Sequence, residues 1–259
     1  MTRGPDLLAV DRAERTATVT FGRPPLNILD LELLAALDAA VARLAEDTAL
    51  QVVFVRGAGE KAFSAGVSVQ DHTPDKIDRM LLSFHGALAR LRDLEALTVA
   101  LVDGHCLGGG MELAMICDLV LATERSRFGQ PEIALGCYPP VAAALYPQRI
   151  GSGRTLELLL SGRTLDCAEA MALGFVHERV ADRAALDARA QELDATVLRH
   201  SAAVTRLTKR AVRAGENRPY TPALAFAERL YLTELTATAD MGEGIQAFLE
   251  KRPPVWRHR

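Results

Sequence analysis

Apolar residues follow two periods along this chain, and each marks a different kind of element. Leu7 to Asp11 and Thr16 to Phe21 carry β-formers in alternation around a polar Arg12-Ala-Glu-Arg15 segment, which predicts a β-hairpin. Gly22 to Asn27 breaks it. Asp30 then caps a predicted helix to about Ala45, with Leu33, Leu34, Leu37, Val41 and Leu44 at helical spacing. Gln51-Val-Val-Phe-Val-Arg56 reads as a buried strand. A second helix, Ile77 to Leu91, gathers Met80, Leu81, Phe84, Leu88 and Leu91 on one face. Val99 to Val102 is a short apolar strand, followed by three consecutive glycines and a helical segment, Met111 to Ile116. Asp118 to Thr123 predicts another strand. Ser126 to Glu132 is a strand end whose corner is stiffened by Pro131. Pro139 and Pro140 suit the first turn of a helix. Arg154 to Leu160 and Ala168 to Leu173 are helical, Gly174 is a C-cap, and Phe175 to Val180 returns to strand.

From Arg183 onward strand signals vanish. Ala185 to Leu198, Ala203 to Ala214, Pro222 to Leu235 and Met241 to Glu250 all read as helices. The pattern divides the chain into an α/β core, residues 1–182, and a helical region, residues 183–259. The Leu- and Ala-rich faces of that region require a partner surface, either the core or another subunit. The basic tail Lys251 to Arg259 reads as a solvated end or an anion contact. A strand–strand–helix rhythm in the first half suggests a spiral of similar units.

Composition narrows the function classes. The chain has 259 residues, 49% hydrophobic and 24% charged, with net charge −3, as in an ordinary globular protein. The balance gives no support for nucleic-acid binding. Apolar runs are too short and interrupted to span a bilayer, and Met1 to Asp6 carry no secretion signal, so a cytoplasmic location with no membrane partner is expected. Cys106, Cys117, Cys137 and Cys167 form no C-x-x-C pair, and no metal site is expected. Neither a phosphate-binding G-x-x-x-x-G-K-[ST] loop nor a G-x-G-x-x-G turn is present. Ser64 is not in a G-x-S-x-G elbow. His72 and His85 read as surface or packing residues; the loop of His72 directly follows a glycine turn.

Two stretches carry candidate chemistry. In Gly108-Gly-Gly-Met-Glu112, a helix start offers unpaired N–H donors beside a carboxylate. Phe63-Ser-Ala-Gly66-Val67 repeats the layout after an earlier strand. Donors converging from two such turns stabilise an oxygen that gains negative charge. Spacing alone does not show that they converge, and either turn also reads as simple tight packing.

Arg23-Pro-x-x-Asn27, Phe63-Ser-Ala-Gly66-Val67, Asp103 to Ala114, Phe128-Gly-Gln-Pro-Glu132, the Ser161 to Gly174 segment and the tail Phe248-Leu-Glu-Lys251 together resemble the crotonase superfamily of enoyl-CoA hydratases and isomerases. The resemblance runs from the hairpin to the tail. It implies an α/β, crotonase-like spiral of ββα units with a C-terminal helical trimerisation region, as a trimer or dimer of trimers. It implies an acyl-CoA thioester whose carbonyl is held by the N–H groups of Val67 and Gly109. Glu112 and Glu132 correspond to the paired glutamates of the hydratases. Glu112 is assigned as base toward water and Glu132 as acid toward Cα, with the enolate stabilised by about 3 kcal/mol per donor. Ala65, Ser68, Val69, His72, Leu107, Tyr138 and Pro139 are implied substrate contacts, and Phe248 and Lys251 are implied contacts to the nucleotide of a neighbouring subunit. No cofactor is implied beyond the coenzyme A of the substrate.

Departures from the family pattern lie at Ser68, where many hydratases have an acid, and at Cys137-Tyr-Pro-Pro-Val-Ala-Ala143, where they have a glycine-rich run. These segments, with Asp71-His-Thr-Pro-Asp-Lys76, look like the cyclohexa-1,5-diene-1-carbonyl-CoA hydratases of anaerobic aromatic degradation. The implied reaction is conjugate addition of water across the ring diene. A linear enoyl-CoA hydratase and a double-bond isomerase are the alternatives. A CoA- or RNA-binding scaffold without activity is disfavoured by both glutamates and by the lack of a basic patch.

Overall fold

The computed structural model describes residues 7–259; Met1 to Asp6, read above as lacking a secretion signal, lie outside them. The hairpin forms as β1 (Leu8–Ala13) and β2 (Thr16–Phe21), antiparallel, with Val10 opposite Val19. Helix α1 (Leu31–Ala45) starts at Asp30, whose carboxylate accepts from the Leu33 N–H at 2.9 Å. The chain then repeats one unit. Strand β3 (Val52–Gly57), short strand β4 (Ala62–Ser64) and helix α2 (Ile77–Asp93) form the first copy. Strand β5 (Leu97–Val102), short strand β6 (His105–Leu107) and helix α3 (Gly109–Ile116) form the second. Strand β7 (Leu119–Thr123) and short strand β8 (Arg127–Gly129) lead through a 3₁₀ turn, Pro131–Leu135, to helix α4 (Pro140–Ile150) in the third. Helix α5 (Ser152–Ser161), strand β9 (Thr164–Asp166), helix α6 (Cys167–Ala172) and strand β10 (Glu178–Val180) close the core.

In each unit the long strand enters one sheet and the short strand a second. The first sheet has order β1-β2-β3-β5-β7-β10, the second β4-β6-β8-β9. β3, β5 and β7 are mutually parallel, as are β4, β6 and β8. The α/β spiral of ββα units is therefore present. The second sheet has no counterpart in the hydrophobic pattern, because three residues are too few to show a period. For the same reason the glycine triplet follows β6 rather than the apolar strand β5.

Alternation along the long strands fills two cores. Val53 and Val55 face the main core with Leu33, Leu37, Met111 and Phe128. Val52 and Phe54 face the other side, where Leu186 and Ala190 of helix α7 (Arg183–Leu198) cover them. Helices α8 (Ala202–Gly215), α9 (Tyr220–Thr233) and α10 (Ala239–Glu250) complete the chain. Lys209 and Arg213 of α8 both reach Asp118 at 2.6 Å, beside the start of β7. The tail is exposed along most of its length, as a solvated end is, but it is tethered. Buried Asp240 accepts from the backbone N–H groups of Arg257 and His258 at 2.6 and 2.7 Å, and Trp256 donates to the Arg199 carbonyl. Tyr220, Leu232, Phe248 and Leu249 leave apolar surface exposed on α9 and α10. Among the described residues, no helix is long and apolar enough to cross a membrane.

Candidate active site

Parallel pairing of three-residue strands brings the site together. In β4 and β6, Ser64 lies opposite Cys106; in β6 and β8, Leu107 lies opposite Gly129. The loops leaving the carboxyl ends of these strands are therefore neighbours, the usual place for ligands in parallel sheets. The first carries Val67, the second Gly109 and Glu112, and the third Glu132. All four line one cavity of about 570 Å³.

The first loop is pinned from below. Buried Asn27 donates to the carbonyls of Ala58, Ala62 and Phe63 at 2.8, 2.8 and 3.2 Å. Ser64 Oγ donates to the Asn27 carbonyl at 2.8 Å and accepts from the Gly66 N–H at 3.1 Å. Asn27→Ala strands these carbonyls in a buried site. It is expected to lower unfolding stability by about 2–3 kcal/mol in denaturant titrations, with a larger proportional loss of activity as the Gly66–Val67 turn loosens.

The two turns touch. A Cβ on Gly109 would lie 3.4 Å from Val67 N and 2.6 Å from Val67 Cγ2. Among the described residues, neither the Val67 N–H nor the Gly109 N–H donates to a protein acceptor. Gly109 is the first residue of α3, so its N–H has no intrahelical partner. Gly108, at φ +54°, leaves room for Glu132, whose Oε1 would lie 2.7 Å from a Cβ there.

The two carboxylates differ in surroundings. Glu112 is buried on α3, and its Oε1 accepts from the Ala142 N–H at 2.8 Å. Ala142 is in the first turn of α4, whose positive dipole end thus faces a carboxylate. Burial pushes the Glu112 pKa up to about 7, opposed by the Ala142 and Val141 amides and reinforced by the charge of Glu132. Glu132, half-buried in the 3₁₀ turn, is also raised to about 7, by burial. Beneath it lies a buried pair that the sequence does not single out. With its amide oxygen accepting from the Tyr146 hydroxyl at 2.6 Å, Gln130 donates to both Glu132 oxygens at 3.1 Å. Such an arrangement supplies two free donors, an acid–base pair poised near neutral pH, and an apolar wall from α2, including Ile77, Met80, Leu81 and Phe84.

Of the remaining residues picked out from sequence, Ala65, Val69, His72, Tyr138 and Pro139 line the cavity. His72 Nδ1 lies 2.9 Å from the Ser68 carbonyl, to which it donates, so the ring also fastens its own loop. Ser68 and Leu107 lie off the cavity wall. The Ser68 N–H is engaged by the Leu29 carbonyl at 3.0 Å, and the Leu107 side chain packs over Gly129. Phe248 and Lys251, at the end of α10, are exposed and away from this chain's own cavity. His85, read from sequence as a surface or packing residue, lines the cavity too.

The sequence pattern of the enoyl-CoA hydratase/isomerase family matches residues 11–259. The chain belongs to that family. It is 38% identical over 239 residues to a cyclohexa-1,5-dienecarbonyl-CoA hydratase of Thauera aromatica, covering 92% of each chain. It is 34% identical over 258 residues to a probable enoyl-CoA hydratase of Mycobacterium bovis, covering 98% of this chain and 99% of the other. Its fold superposes on the crystal structure of an enoyl-CoA hydratase from Bacillus anthracis with a TM-score of 0.92 at 28% identity, covering 98% of this chain and all of the other. This enoyl-CoA hydratase-type lyase therefore shares the family's fold over nearly its whole length.

Proposed function

We propose that this hydratase-family enzyme adds water to a conjugated acyl-CoA thioester, with cyclohexa-1,5-diene-1-carbonyl-CoA as the preferred substrate. The observation that carries the reading is the meeting of two unpartnered N–H groups, from Val67 and Gly109, with two carboxyl groups whose pKa values are both about 7. The thioester oxygen sits between the two N–H groups. Water, activated by ionised Glu112, attacks Cβ, and the electron pair moves onto the thioester oxygen to give an enolate. The amides of α4 favour the ionised form of Glu112, which suits the base role. Protonated Glu132 returns a proton to carbon. In a linear enoyl-CoA that carbon is Cα; in the ring diene it is the ring carbon para to the new hydroxyl, and one conjugated double bond remains. Either way one water is consumed and both glutamates exchange protonation states.

The 38% identity to the Thauera aromatica hydratase supports the ring substrate. Tyr138, Pro139 and Pro140 line the cavity, and the bulk of the one and the rigidity of the others support a reshaped acyl pocket. A linear enoyl-CoA is the second reading, supported by the 34% identical probable enoyl-CoA hydratase. The exposed Tyr220, Leu232, Phe248 and Leu249 support assembly into a trimer, in which Phe248 and Lys251 reach a neighbour's CoA.

The test supplies linear and cyclic enoyl-CoAs in heavy-oxygen water and follows loss of the enone absorbance. Labelled hydroxyacyl-CoA, formed fastest from the cyclic diene, is the expected product. A shifted double bond without label would make the protein an isomerase and sink the hydratase reading. Because the two carboxyls repel and both titrate about pH 7, the singly protonated pair is most abundant there. A bell-shaped profile of kcat/KM centred near neutrality is expected. Its acid limb reports loss of the base and its alkaline limb loss of the acid; a profile flat from pH 6 to about 8.5 would contradict the assignment.

A further inference from the structure

Next to the first cavity lies a second, of about 400 Å³, lined by apolar Ile116, Val141 and Leu145 and by polar Arg92, Gln148 and Asn217. Among the described residues, only His85 and Pro140 belong to the walls of both cavities. Pro140 is fixed as the first residue of α4, the helix whose start holds Glu112. His85 is held differently. Its ring rests against Phe84, with centroids 5.8 Å apart and planes tilted by 46°. Its Nε2 is buried and has no hydrogen-bond partner among the described residues, so the ring breaks no bond there when it turns. Burial also lowers the imidazole pKa, which keeps the ring neutral toward an apolar chain. A leucine would pack here without the cost of an unpaired buried nitrogen.

We infer that His85 is a specificity-determining residue: it is the partition that ends the acyl pocket, and the second cavity takes the distal methylenes of longer acyl chains once the imidazole is removed. The inference rests on the acyl-CoA reading above. It makes the wild-type protein selective for short or ring-sized acyl groups. Each methylene that gains burial adds to affinity, so opening the partition acts on binding and grows with chain length.

Saturated acyl-CoAs, which cannot be hydrated, isolate this effect. Dissociation constants for butyryl-, octanoyl- and dodecanoyl-CoA are measured on the full-length protein and on His85→Ala, His85→Val and His85→Phe. His85→Ala is expected to tighten dodecanoyl-CoA relative to butyryl-CoA by at least about tenfold. His85→Val gives a smaller shift in the same direction and stands in if the alanine variant folds poorly. His85→Phe keeps a ring in place and keeps the wild-type ratio. With matched enoyl-CoAs the change appears in KM and not in the ratio of kcat values. An unchanged chain-length ratio in both His85→Ala and His85→Val overturns the inference while leaving the hydratase reading intact. Failure of the wild-type protein to bind butyryl-CoA at all overturns the acyl-CoA reading instead.

Discussion

Glu112→Gln and Glu132→Gln are each expected to lower kcat for hydration by about 10²–10⁴-fold, with KM changed little. A carboxamide has nearly the same shape but neither takes the proton from water nor delivers one to carbon. At position 112 the amide oxygen still satisfies the Ala142 N–H, so the pocket keeps its form. The Glu112 variant has a second signature. Its carboxyl has a folded-state pKa of about 7 against an ordinary 4.5. Between those values the folded chain holds more protons than the unfolded chain, so stability falls as pH rises through that window and stays lower above it. Glu112→Gln removes the buried charge and is expected to raise Tm at pH 8, by about 2–4 °C for each kcal/mol recovered. The gain disappears near pH 4, where the carboxyl is protonated in both states. Near wild-type turnover in both glutamine variants would end the acid–base account.

Gly109→Ala is expected to cost about 10²–10³-fold in kcat/KM, the loss associated with one disabled oxyanion donor. The added methyl would stand 2.6 Å from Val67 Cγ2, 3.1 Å from Phe84 Cζ and 3.4 Å from Val67 N. It fills the space between the two amides, where the thioester oxygen must sit, or pushes the turns apart. Gly153→Ala is the control. That glycine lies in α5, and its Cβ would meet nothing within 4 Å, so activity stays at the wild-type level. Equal activity in the two variants would mean that the gap between Val67 and Gly109 holds no reacting atom.

The sequence discloses the long elements and conceals the short ones. Helices α1 and α2 and strands β3 and β5 carry enough apolar residues for their period to show. Strands β4, β6, β8 and β9 have three residues each, so the sheet that aligns the functional loops leaves no periodic trace. Glu112, Glu132, Val67 and Gly109 could be picked out by type and motif, but their approach depends on the register of those strands. The pocket face of α2 was indistinguishable from core, because Met80 and Phe84 have the spacing of packed residues whether they meet protein or ligand. His85 shares that face. Gln130 and Tyr146 lie 16 positions apart, and nothing local in either segment announces the bond between them. The tail carries the opposite lesson. Its basic composition reads as a solvated end or an anion contact, and it is largely exposed, yet nothing in that composition announces that one buried carboxylate, Asp240, fastens it.

Because Val67, Gly109 and Glu132 come from three successive copies of one strand–strand–helix unit, chemistry here is a property of the stack and not of any single copy. Each copy donates one tip, and the long strands that hold the copies together stay remote from the substrate. A change at the third tip, which carries Glu132, can therefore redirect the fate of the enolate without touching the grip that the first two tips have on the thioester. Such separability lets a shared framework be retuned from one reaction to the next, while a fragment lacking any copy would be inert.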